Sequence, residues 1–185
     1  MSWESQISLG KVISGIPQRT GSYYGNPLIT ALTTQVMVAD VFDAHPFLVP
    51  ETHTFTSINI ETTAAAAGKF VRLGIYNDND GIPDSLVLDA GAISVALPIG
   101  AKFIVINQVL FAGWYWLAIV GDGTPTLRAG SNTSSPLPWL GFTSGIDVTY
   151  HIGWTVAQAY GALPDPFTPG GTLMATRVIR IMLGL

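Results

Sequence analysis

Arg72-Leu-Gly-Ile-Tyr-Asn-Asp-Asn-Asp-Gly-Ile-Pro-Asp-Ser-Leu-Val-Leu-Asp-Ala-Gly91 sets one apolar run against a polar Asx/Gly/Pro turn and then a second apolar run. That grammar predicts two antiparallel strands joined by a hairpin. Within Phe70–Tyr76, Val71, Leu73 and Ile75 point one way, while Phe70, Arg72 and Tyr76 point the other. Further along, Gly113-Trp-Tyr-Trp-Leu-Ala-Ile-Val120 sets Trp114, Trp116 and Ala118 against Tyr115, Leu117 and Ile119. Both sides are apolar, so this strand is expected to be buried on both faces. Ile146-Asp-Val-Thr-Tyr-His-Ile-Gly-Trp-Thr-Val156 sustains a period of two that no helix explains.

The same signals place strands near 35–40, 54–61, 69–76, 85–89, 92–96, 102–109, 114–121, 146–156 and 173–182. Thr63-Ala-Ala-Ala-Ala-Gly68 is too short to be more than one helical turn. The fold class expected is all-β: an antiparallel β-sandwich of jelly-roll-like type with an extended N-terminal arm.

Residues 1–30 read as that arm, and residues 31–185 as one sandwich domain. The arm is rich in Gly, Pro and turn formers, with isolated apolar anchors including Ile16, Tyr23 and Tyr24. A segment of this kind buries little of its own apolar surface and orders best against a neighbour. Two long stretches, 121–145 and 161–171, carry Gly, Pro, Ser, Asn and Thr and read as loops.

Composition narrows the function. Charged residues are 11% of the 185-residue chain, against roughly 25% in typical domains. Few charges beside 48% hydrophobic residues suggest a surface partly covered by other chains. The net charge is −4, and the eight basic residues are scattered, which gives no footprint for nucleic acid. No run of about 18 apolar residues exists to insert in a membrane, and the first residues lack the pattern of a secretion signal. Zero cysteines exclude a disulfide scaffold and a thiol nucleophile.

Candidate sites are few. Asn77-Asp-Asn-Asp-Gly-Ile-Pro-Asp84 supplies what a hairpin turn demands. Asp78, Asp80 and Asp84 are also hard oxygen donors at a spacing that suits Ca²⁺, although the terminal bidentate Glu of an EF-hand is missing. Calcium is therefore the one cofactor in question. His45, His53 and His151 form no i,i+4 or His-x-His pair for zinc. The chain has no Gly-x-Ser-x-Gly elbow, no phosphate loop and no carboxylate pair in an aromatic-lined strand end, so the expectation is a non-enzyme. Trp114, Trp116 and Trp154 read as core, whereas Trp139 and Phe142, in a Pro-rich loop, read as an exposed contact for a sugar face or a neighbouring subunit.

Four motifs in order carry a resemblance: Pro46-Phe-Leu-Val-Pro50 with Phe55-Thr-Ser-Ile58, Arg72–Pro83 with Leu88–Gly91, Gly113–Ala118, and Pro166-Phe-Thr-Pro-Gly-Gly-Thr-Leu173. From about Val36 onward the chain resembles β-sandwich domains of tailed-bacteriophage virion structural proteins. Members often have Gly-Gly where this chain has Asn79-Asp80, so its turn is richer in carboxylate. The resemblance implies a non-enzymatic virion component, assembled in the host cytoplasm and commonly a homotrimer: a head-decoration, head-fibre or spike-tip subunit. Its partners would be sister chains and major capsid, portal-proximal or tail proteins. The alternative is a receptor- or carbohydrate-binding module of a tail fibre that recognises a host surface glycan.

Overall fold

The computed structural model describes residues 18–26, 31–130, 151–174 and 178–185. It is an antiparallel β-sandwich, as the alternation predicts. In chain order the strands are β1 Tyr23–Gly25, β2 Leu32–Val36, β3 Val41–Val49, β4 His53–Ala64, β5 Phe70–Asn79 and β6 Ile82–Ser94. They continue with β7 Gly100–Leu110, β8 Gly113–Gly121, β9 Thr126–Gly130, β10 Gly153–Ala157, β11 Thr172–Met174 and β12 Met182–Gly184. One sheet, here sheet A, runs β1-β12-β4-β9-β2 with β7 added on β4; the other, sheet B, runs β11-β10-β3-β8-β5-β6.

The main core lies between the sheets. Phe55, Ile58, Ile60, Leu127 and Leu183 of sheet A meet Phe47, Val71, Leu73, Ile75, Leu117 and Ile119 of sheet B. Alternation then carries Phe42, Tyr76, Trp116 and Ala118 to the outer side of sheet B, where they form a second buried cluster with Leu163 and Phe167. β8 is thus buried on both faces, as its sequence requires.

Several sequence readings change, each for a local reason. β6 is one strand rather than two: Leu73 pairs with Gly91 and Gly74 with Asp89, so Ala90 is a bulge, and Gly91 takes the positive φ of 95° that the bulge needs. β3 went unread because Pro46 sits in it. Within the described residues the β10 ladder ends at Ala44, so Pro46 has a partner strand only on the β8 side, opposite Trp116. β9 lies inside the stretch read as a loop. Residues 23–25 of the arm join the sandwich as β1, pairing with β12 of the same chain. The alanine run supplies the end of β4 and a turn, with no helix there.

Candidate functional site

The two outer faces of the sandwich differ. Sheet B is roofed by the Pro-rich segment around 158–168. The Phe167 ring stacks on Phe42 with centroids 4.5 Å apart and meets Tyr76 edge-on. The Phe167 N–H donates to the Asp84 carbonyl at 2.8 Å, and the Leu86 N–H donates to the Asp165 carboxylate at 3.0 Å. Burial pushes the Tyr76 hydroxyl far above its ordinary pKa. It therefore stays protonated and donates to the Pro164 carbonyl at 2.7 Å.

Asp89 anchors this roof. It accepts from Arg72 Nε at 2.8 Å and from the Leu163 N–H at 3.1 Å. Burial works to raise its carboxyl, but those bonds and one from the Gly91 N–H prevail and hold it below the ordinary carboxylate range. Gly74 is what lets the roof seat. A Cβ there would come within 2.2 Å of Leu163 Cδ1 and 2.8 Å of the Leu88 carbonyl oxygen.

Sheet A carries no such cover among the described residues. β7 alternates inward Ile104, Ile106 and Gln108 with outward Phe103, Val105, Asn107 and Val109. Phe103 is 60% exposed, Val105 76% and Val109 47%, and Phe111 just beyond the strand is 69% exposed. Leu97 and Ile99, in the approach to β7, are also exposed. Among the described residues β7 hydrogen-bonds to β4 alone, so it is also an edge strand. Lys102, the one charge on β7, donates to the Ala96 carbonyl at 3.0 Å. The usual devices that blunt a sheet edge (an outward lysine, a proline) are missing from this strand.

Beside β7 lies a groove of about 390 Å³ walled by Tyr23 and Phe103 and floored by Asn59 and Met182. Register explains it. Asn59 lies between Met182 and Phe103 in one row, and Ser57 lies between Gly184 and Val105 in the next. Gly184 is opposite Tyr23, and a Cβ there would stand 2.9 Å from the Tyr23 ring, so glycine is what lets the ring lie over β12.

The groove ends in a charged clasp. Glu61 accepts from Arg128 at 2.7 Å and from Arg180 at 2.9 Å, tying together β4, β9 and the run into β12. Hydrogen bonding to Arg128, with Arg180 assisting, holds the Glu61 carboxyl below its ordinary range despite partial burial.

The hairpin residues fall as a turn demands. Asp80 and Gly81 have φ of 53° and 80° between the paired Asn79 and Ile82, the signature of a two-residue type I′ turn. Asp78 accepts from the Trp116 indole N–H at 2.7 Å and from the Gly81 N–H at 3.3 Å, so both of its oxygens are engaged. Among the described residues no three His, Asp or Glu side chains converge to hold a metal ion.

Tyr23 is an exposed groove wall, while Tyr24 packs against the main core. Ile16, Trp139 and Phe142 lie outside the described residues. The exposed stripe of β7 was missed because Phe103-Ile-Val-Ile has no polar side. Its apolar residues fall on both sides in the sequence, and only the uncovered outer face of sheet A in the structure shows one side to be exposed. No protein-family profile, curated protein or solved structure matches the chain.

Proposed function

We propose that this protein is a non-enzymatic structural subunit of a tailed-bacteriophage virion, of head-decoration, head-fibre or spike-tip type, that self-associates and attaches through its N-terminal arm. The observation that supports assembly is the uncharged, apolar outer face of edge strand β7. A free monomer gains nothing from leaving Phe103, Val105, Val109 and Phe111 in water. Covering them contributes roughly 25 cal/mol per Å² before ordering costs. The virion setting comes from the sequence resemblance, and the homotrimer expected of such subunits is carried from the same source.

Deletion of residues 1–30 tests the arm. The truncated chain is expected to stay an oligomer by sedimentation yet fail to join particles, and normal incorporation would refute the attachment role. Because the deletion also removes β1, a chain lacking only residues 1–17 is the companion variant.

A second reading, a glycan-binding module, is favoured by the groove between Tyr23 and Phe103, since aromatic faces beside an amide suit a pyranose ring. Under it, Tyr23→Ala or Trp139→Ala abolishes binding to host-surface polysaccharide while the oligomer persists. Under the first reading neither changes cell binding.

A further inference from the structure

We infer that β7 docks against β7 of a second copy of this chain, antiparallel, across a two-fold axis at Asn107. The inference rests on the reading of the protein as a self-associating subunit and adds the geometry of one contact.

Its basis is the order of the outward residues. Phe103, Val105, Asn107, Val109 and Phe111 read the same in both directions about Asn107. In a two-fold contact residue i meets j and j meets i. An antiparallel pair centred on Asn107 therefore brings Phe103 to Phe111, Val105 to Val109, and Asn107 to its own copy. Aromatic meets aromatic and β-branched meets β-branched across the seam, so ring packs on ring and the apolar faces match. The carboxamide at the axis suits its place, because an amide both donates and accepts and two of them satisfy each other reciprocally.

Charge points to the same occupant. Nothing from Phe103 to Phe111 is charged, and the Lys102 amine is held at the Ala96 carbonyl, so the stripe offers no handle to an acidic or basic partner. Polar Ser57 and Asn59 on β4 border it, giving an apolar seam with a wet rim. The stripe runs about 27 Å along the strand, and with the groove walls of Tyr23 and Met182 it spans three strand spacings, on the order of 400 Å² per copy. That is the size of an association patch, and at about 800 Å² in total it makes a weak contact that holds through the chain's other attachments rather than alone. The contact is made by the faces, since edge pairing alone would leave these side chains in water. The register shift between β7 and β4 at Phe55 and Ser57 lies opposite the axis, where β7 bends most readily.

The native chain has no cysteine, so a single introduced thiol reports the geometry cleanly. Asn107→Cys, treated with a thiol-reactive cross-linker about 10 Å long, is expected to run mainly as a covalent dimer on a denaturing gel, because sheets packed face to face hold a residue at the axis about 10 Å from its own copy. Ala65→Cys, an exposed site just past the far end of β4, is the collision control and should stay largely single. Val105→Cys alone should cross-link poorly, but should join Val109→Cys when the two are mixed. Val105→Asp should weaken this association by at least about a hundredfold, because a carboxylate enters each half of a dry seam. Equal cross-linking of Asn107→Cys and Ala65→Cys overturns the two-fold. If sedimentation still shows an oligomer, self-association stands by another face; a monomer at every concentration removes both.

Discussion

Asp78 shows how much one side chain decides. A candidate calcium ligand by sequence, it accepts from the Trp116 indole and so joins the β5–β6 hairpin to β8. Asp78→Ala leaves a buried indole N–H without its acceptor and should cost about 1–3 kcal/mol in urea unfolding. Because no three acidic or histidine side chains converge among the described residues, chelator or added calcium should leave the melting temperature unchanged. The depressed carboxyls of Glu61 and Asp89 set the acid behaviour. A carboxyl lowered on folding stabilises fully above its unfolded pKa, and that stability is lost as pH falls through the folded pKa. Melting temperature should therefore be flat near neutrality and fall below about pH 4. Glu61→Gln should lower stability at pH 7 and flatten that acid fall; an unchanged slope would show the clasp to be electrostatically idle.

At the scale of elements, the roof over sheet B depends on a void that only glycine leaves. Gly74→Ala drives a methyl into Leu163 and should cost about 1–3 kcal/mol by thermal unfolding. Phe167→Ala removes the ring stacked on Phe42 and should cost about 3–5 kcal/mol, with loss of near-ultraviolet circular dichroism from the aromatic cluster. The strands at 54–61, 69–76, 102–109 and 114–121 were legible because period-two alternation and turn residues are local signals. β3 was not, since a proline signals a break unless the neighbouring strand is known to have ended. β9 hid among turn formers, being five residues held mainly by pairing with β2. The exposed stripe of β7 was illegible for a related reason: apolar residues on both sides of a strand signify burial, and whether a partner covers the second side is a property of the assembly. The turn at Asp80-Gly81 was legible outright, because that pair has one favoured conformation between strands.

For the whole molecule, the two outer faces have opposite fates. Sheet B carries its cover in its own sequence, and sheet A displays an uncharged stripe with none among the described residues. Should β7 face β7 of a second copy, the total charge of −4 per chain is low enough that repulsion between copies is slight. Association should accordingly change little between 50 mM and 500 mM salt, as sedimentation equilibrium would register; a strong salt dependence would mean that the contact is ionic and lies elsewhere.

The Pro-rich roof also limits growth. A block that is sticky on one side and already clothed on the other uses up that face when two of them meet, so any further copy joins through another surface and none is added on top. Such blocks tile without piling into columns, and concentrated solutions should stay clear where a doubly bare sandwich would thicken into fibres.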